Sequence, residues 1–398
     1  MSTAQNHTDG PEISQEVPFW HDPGKRAIVF QALILCLVFA AGYYIFANTQ
    51  ANLRRQAIST GFGFLGREAG FGIGEALIPY SAANSYAHAL LVGLLNTLNV
   101  AFIGILLTLL LGVVIGIARL SSNWLVSKLA TGYIEVLQNI PVLLQLFFWY
   151  SLFNDLLPSP RQSFSPLPGV FFSNRGFYFP VPVGHCAFGW AAAAFGGAAL
   201  VCFLLRRWAR KRQDQTGQIF PFWPVSAVLL VGFPLLAWSL AGAPTAMSIP
   251  HLTGFNFQGG FSLSPEFGAL LIGLVLYTSA FVAEIVRAGI QAISIGQSEA
   301  AMSLGLKSNL VLSLIILPQA MRIIIPPLTS QMLNLTKNSS LAVAIGYPDF
   351  VSVANTTINQ TGQAIEGVLI IMVVYLILSL LTSAFMNWYN KNKALVER

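Results

Sequence analysis

Eight apolar stretches constrain this chain more than any other feature: residues 28–47, 89–118, 133–156, 186–205, 224–242, 267–290, 310–336 and 365–388. Each is close to the about 20 residues a helix needs to cross a hydrocarbon core roughly 30 Å thick. Inside such a core no water pairs with peptide groups, so every stretch must close its own backbone hydrogen bonds. The expected fold is an all-α integral membrane protein of about eight transmembrane helices. Composition agrees: of 398 residues 55% are hydrophobic and 9% charged, with mean hydropathy +0.66, where soluble domains carry roughly 25% charged residues.

Basic residues orient the bundle. Lys25, Arg26, Arg119, Lys128, the run Arg206, Arg207, Arg210, Lys211 and Arg212, then Arg287, Lys307 and the C-terminal basic residues fall on one side. Arg54, Arg55, Arg67, Arg161 and Arg175 fall on the other. Cytoplasmic loops retain Lys and Arg, so this split places both termini inside, with Arg54 and Arg55 voting the other way. The run 206–212 reads as a cytoplasmic topology anchor rather than a nucleic-acid patch, and no nucleic-acid partner is expected. The polar opening lacks a signal-peptide layout, so the first stretch reads as a retained anchor. The chain then divides into a tail (1–27), an anchor helix with an outer glycine-rich loop (28–88) and the first part of a core (89–156). Inserted outer loops with a helix pair (157–266), the second part of the core (267–390) and a short tail (391–398) follow. A five-helix core carries the rest as additions.

Several enzyme and cofactor readings fail on context. The run from Gly61 to Gly66 matches G-x-G-x-x-G, yet no strand precedes it and further glycines follow, which makes it a glycine-rich interfacial loop. No phosphate loop is present, so the chain cannot hydrolyse ATP alone and needs no nucleotide of its own. His7, His21, His88, His185 and His251 are scattered, and Cys36, Cys186 and Cys202 lie in apolar runs without metal-ligand spacing. Gly112 and Gly116 form a G-x-x-x-G step suited to close helix packing.

Two polar constellations carry the functional reading. In the first, Glu299, Ala300 and Ala301 precede Gly305. Small alanines let a short helix approach a partner closely, and a glycine with positive φ ends that helix and turns the chain back, giving a compact knob. In the second, Gln331, Asn334, Lys337, Asn338, Ser339 and Ser340 follow Pro326-Pro327. A proline pair is expected to break the helix, and a broken helix with donors is how a membrane protein holds a carboxylate. A charge at mid-membrane costs about 2.5 to 3.5 kcal/mol on insertion scales, so Lys337 either faces a cavity or snorkels to the outer interface. Glu135, Gln138 and Asn139 precede Pro141, with Gln145 beyond; for Gln138 and Asn139 both cavity lining and interhelical hydrogen bonding stay open. Asn96 and Asn99 lie one turn apart, and Glu284 with Arg287 forms an i, i+3 pair that braces the inner end of its helix.

Glu299-Ala300-Ala301, Gly305, Ile315, Leu317 and Pro318 stand at the spacing E-A-A-x3-G-x9-I-x-L-P. This resembles the EAA loop of permease subunits of bacterial ABC importers. AGFGIGEALIPY, LLVGLLNTLNVA, YIEVLQNIPVLLQLFFWY, FVAEIVRAGIQAI and LTKNSSLAVAIGYPDF are similar to the polar amino acid group, in its general L-amino-acid and glutamate/glutamine/aspartate/asparagine branches. The resemblance implies a type I importer transmembrane domain in a bacterial inner membrane, surrounded by lipid. It implies coupling to a cytoplasmic ATPase through Glu299, Ala300, Ala301 and Gly305, and a substrate path near Lys337, Asn338, Ser339, Gln138, Asn139, Gln331 and Asn334. It also implies a second permease subunit, two ATPase subunits that hold the ATP and magnesium, and a periplasmic amino-acid-binding protein. Much of the family has an aspartate where this chain has Asn338, which favours a broad or acid-tolerant specificity over a narrow cationic one. The alternative is an ion-coupled secondary transporter, which predicts repeat symmetry and paired broken helices.

Overall fold

The computed structural model describes Trp20, residues 23–55 and residues 61–393. His7, His21 and the last residues of the C-terminal tail lie outside them. Among the described residues, seven helices are long and apolar enough to cross a membrane, or eight if one bent pair counts as a span.

Helix α1 (Pro23–Arg55) starts on a proline, whose missing N–H costs nothing at a first helical position. None of its apolar window is buried by the rest of the described chain, so lipid or another subunit must cover it. Helix α2 (Tyr86–Arg119) is capped by Ser85, which accepts from the His88 N–H. The stretch read as one span over 133–156 is instead two helices, α3 (Trp124–Asn139) and α4 (Val142–Ser151, extended by a π-helical turn), bent by 102°. Pro141 holds Ile140 extended, at φ −96 and ψ 125. Gln145 Nε2 donates to the carbonyls of Leu137 and Ile140 at 2.9 and 3.0 Å, so the carbonyls freed by the break are satisfied.

The insertion forms a hairpin of α5 (Cys186–Thr216) and α6 (Phe222–Leu240), packed chiefly on each other. The basic run lies on the last turns of α5, where Arg212 stacks on Trp208 and Arg207 on Phe203. The flanking outer loops are not irregular throughout. Strands β1 (Phe164–Leu167), β2 (Val170–Ser173) and β3 (Gly176–Phe179) form a meander that β8 (Phe261–Leu263) completes, in the order β1-β2-β3-β8. Two-stranded pairs join β4 (Val181–Pro182) to β5 (Met247–Ser248) and β6 (His251–Thr253) to β7 (Asn256–Gln258). The all-α membrane body therefore carries a small β cap, seated on it where the Phe177 ring meets Phe153 edge-on.

Helix α7 (Pro265–Gln291), capped by Ser264, is the central element: α2, α3, α4 and α10 all pack on it. It is followed by α8 (Ile295–Ser303), α9 (Ser308–Val311) and α10 (Leu317–Asn338). The proline pair does not break α10. Pro326 and Pro327 are both exposed, so the carbonyls they leave unpaired stay clear of the packed side formed by Ile324, Ile325 and Leu328. The chain breaks later, where a 3₁₀ segment (Ser339–Ile345) ends at Gly346 and Asp349 starts α11 (Phe350–Thr361). Helix α12 (Ala364–Lys393) completes the described chain. One buried cluster joins Val100, Leu146, Phe153, Phe267, Leu270, Leu274 and Tyr347 at the middle of this body. A second closes the side holding the α2 N-terminus: the glycine-rich loop folds Phe64 and Ala69 onto Tyr86, Leu90 and Phe350.

Candidate functional site: an inner knob and a polar helix end

Helix α7 leads directly into the knob. Helix α8 has one inward residue, Ala301, which is 2% exposed, while Glu299, Ala300 and Met302 face out. The helix ends in a double hydrogen-bonded turn: Gly305 N–H donates to Met302 O at 2.9 Å and Leu306 N–H to Ala301 O at 3.3 Å. That pattern requires a left-handed residue at Gly305, found at φ +79. Leu304 is left 83% exposed at the tip. A lone apolar side chain on a surface is ordinary, but here it projects from a rigid turn flanked by exposed Ile295 and Met302.

Behind the knob, charge ties α7 to α2. Glu284 pairs with Arg287 on its own helix and also with Arg119 at the end of α2. The bracing expected of Glu284 and Arg287 therefore includes a third member that the sequence pattern did not reveal. Arg119 is visible in hindsight as the basic last-turn residue of α2.

The polar residues near the far end of α10 are partly separated by the fold. Asn334 and Lys337 lie on its exposed side with Ile323, Pro327 and Ser330, at the i, i+4, i+7 spacing of one helix stripe. Gln331 and Asn338 are half-buried beside that stripe. Ser339 is fully buried and donates to Thr336 O at 2.7 Å. Lys337 opens on a cleft of about 480 Å³ shared with Ser340, Tyr375 and Ser379. Gln138 donates to Ala280 O on α7 at 3.2 Å, which is the interhelical of its two readings, and Asn139 turns back to Glu135 O at 2.6 Å. Gln145, noted in the sequence beyond Pro141, closes the α3–α4 break.

At the α10–α11 break the structure holds a carboxylate that sequence reasoning passed over. Asp349 caps α11 by accepting from the Ser352 N–H at 2.9 Å and is fully buried, beside the Tyr375 hydroxyl. Burial pushes its carboxyl up to about 7, against the pull of the cap hydrogen bonds. Its signal was an Asp directly before a helical run with a polar residue three positions on, the pattern of an N-cap. Glu75, in the glycine-rich loop, is also raised by burial, although it accepts from the Ser264 N–H at 2.9 Å.

Residues 104–394 match the family model described as binding-protein-dependent transport system inner membrane component. The provisionally named amino-acid ABC transporter permease protein YhdX of Escherichia coli (strain K12) is 51% identical over 381 residues, covering 95% of this chain and 96% of that one. The general L-amino acid transport system permease protein AapQ of Rhizobium johnstonii is 48% identical over 95% of this chain and 94% of its own length. The glutamate/glutamine/aspartate/asparagine transport system permease protein BztB of Rhodobacter capsulatus is 39% identical over 95% and 96%. The secondary-transporter alternative is overturned by these matches. The chain is a multi-pass transport subunit rather than an enzyme, and it belongs to the binding-protein-dependent transport system inner membrane components, among the amino acid ABC permeases.

Proposed function

We propose that this chain forms half of the translocation path of an ATP-driven amino acid importer in a bacterial inner membrane. A second, related permease subunit covers the exposed stripe of α10, and amino acid arrives from a periplasmic binding protein on the side opposite the knob. Two cytoplasmic ATPase subunits hold ATP and magnesium and drive the path through Glu299, Ala300, Ala301 and Gly305. The observation that carries this reading is the knob: a glycine-locked short helix at the end of the central helix, with Leu304 presented at its tip. Such a knob moves with α7, because Glu284 holds that helix to Arg119 of α2 just behind it. Substrate then passes along the face bearing Asn334 and Lys337, where a cation among uncharged neighbours such as Ser340, Tyr375 and Ser379 offers a partner to a carboxylate.

The test is to place Pro at Gly305 or Trp at Ala300 in the complete transporter. Both variants are expected to reach the membrane at normal abundance, to lose the ATPase subunits on purification and to lose uptake. Normal substrate-stimulated ATP turnover in these variants would remove the knob from the mechanism.

A further inference from the structure

At the end of α7 opposite the knob, about 40 Å away by helix rise, two hollows adjoin. The larger, of about 470 Å³, lies between the glycine-rich loop, the start of α7 and the start of α11. The smaller, of about 240 Å³, reaches past Glu75 to the polar side of α2 and to Tyr347. Glu75 belongs to both. Glu266 lines the larger one, and among the described residues no Lys, Arg or His lines either.

The acidic pair alone says little, but α2 adds an independent feature. Asn96 is 1% exposed and lines the smaller hollow. Its Nδ2 donates to Glu75 O at 2.8 Å and to Pro348 O at 2.9 Å. Both amide hydrogens are thus committed to backbone carbonyls, which fixes which end of the amide is the oxygen. Oδ1 accepts no hydrogen bond among the described residues and is not one of their fully buried unpartnered atoms, so it stands open to the hollow that Asn96 lines. Asn99, one turn on, lines the same hollow, and its side chain makes no hydrogen bond among the described residues. Tyr347 lines it too and keeps its proton, because burial raises its hydroxyl.

We propose that this double hollow binds the primary ammonium group of the incoming amino acid, with the Glu75 and Glu266 carboxylates supplying charge, Asn96 Oδ1 a fixed acceptor and the Asn99 amide a second, adjustable one. A primary ammonium brings three donors and one positive charge, which this lining matches and an anion does not. The assignment rests on the reading of the chain as an amino acid permease. It deepens that reading by separating recognition: the ammonium group is met here, whereas Lys337 on α10 meets a carboxylate. The free polar atoms belong to elements that meet at the α10–α11 break, so occupancy draws the glycine-rich loop, α2 and α11 together.

The experiment uses the purified, complete transporter and, in parallel, cells that express it. Ethylammonium chloride is compared with equal sodium chloride by thermal unfolding, for wild type, Glu75→Gln and Asn99→Leu. Gln keeps an acceptor for the Ser264 N–H, and the Asn99 side chain makes no hydrogen bond among the described residues to lose, so both variants are expected to fold. Ethylammonium should raise the melting temperature of wild type and of neither variant. Uptake of labelled L-glutamine, L-glutamate and L-alanine should show KM at least about tenfold higher in Glu75→Gln, with membrane abundance unchanged. Equal ethylammonium shifts in all three proteins, or none in wild type, overturn the site. A specific ethylammonium shift without uptake of any amino acid above cells lacking the chain leaves the site standing and defeats the importer reading instead.

Discussion

The contact between α2 and α7 gives the sharpest quantitative test. A Cβ built on Gly112 would stand 2.6 Å from Val282 Cβ, and one on Gly116 would stand 2.7 Å from Ala283 O. Non-bonded carbons settle at about 3.5–4.0 Å, so the two helices would have to separate by roughly 1 Å. Overpacking of this kind costs about 1–3 kcal/mol, against which an alanine returns up to about 1 kcal/mol of helix propensity. The double variant Gly112→Ala/Gly116→Ala is therefore expected to lose about 2 kcal/mol in total, from a mid-range cost of about 2 kcal/mol less about 1 kcal/mol returned at each site. Gly132, inside α3, is the matched control, because nothing lies within 4 Å of the added carbon. Gly132→Ala should gain up to about 1 kcal/mol. Thermal unfolding in detergent, read by fluorescence-detected size exclusion, should show the double variant melting lower than wild type and Gly132→Ala no lower. Since α7 carries the knob, uptake should fall with the first and not with the second. A double variant that melts at the wild-type temperature would refute the close-contact argument, and equal shifts in all the variants would show that glycine content rather than packing governs stability.

Sequence patterning located the membrane helices because apolar length is imposed by the bilayer and little else imitates it. It located the turn of the knob for a related reason: a positive φ at Gly305 is a local backbone demand that a glycine announces. The two proline sites show where local reading stops. Pro141 and the pair Pro326-Pro327 carry the same chemical defect, yet one bends the chain by 102° and the other leaves a helix intact. The difference lies in what surrounds the freed carbonyls. Gln145 reaches back to satisfy them at Leu137 and Ile140, whereas at the pair they sit on an exposed face of a helix held by its opposite side. Both circumstances are tertiary, and single-sequence reasoning does not contain them.

The polar candidates divide in the same way. Lys337 was legible because a cation in an apolar run is expensive wherever it points. Ser339 and Gln138 could not be resolved from sequence because hydroxyls and amides are also how helices bind each other, and only the fold shows that their partners are Thr336 O and Ala280 O. Asp349 and Glu75 were overlooked as acids in what read as ordinary loops. Their burial comes from the glycine-rich loop and α11 folding onto α2, a contact between segments more than 250 residues apart, as when Asn96 binds Pro348 O. The β cap was illegible for a different reason: its strands are two to four residues long and their partners come from both sides of the α5–α6 insertion.

Three further outcomes check the assignment. In a background lacking Cys36, Cys186 and Cys202, a cysteine at Gln213 should react only from the cytoplasm and one at Ser165 only from outside; outside labelling at Gln213 would invert the orientation read from the basic residues. Lys337→Met should cripple uptake while Lys337→Arg keeps part of it, and uptake by the Met variant within about twofold of wild type at equal abundance would show that Lys337 only snorkels. The last concerns Asp349, whose carboxyl is raised by burial from 3.8 to about 7. Below about pH 4 the group is protonated whether the chain is folded or unfolded, and it adds no pH-dependent cost. As pH rises toward 7 the unfolded chain releases the proton and the folded chain retains it, so the folded state loses stability across that window and regains none above it. A shift of this size corresponds to a few kcal/mol at about 1.4 kcal/mol per pKa unit. Asp349→Asn keeps an oxygen to accept from Ser352 and the preference for a helix start, but it has no proton to lose. The melting temperature of the Asn variant relative to wild type should therefore be more favourable at pH 8 than at pH 5. The same difference at both pH values would mean that the carboxylate is already paired in the folded protein, through the Tyr375 hydroxyl beside it, and that burial costs it nothing.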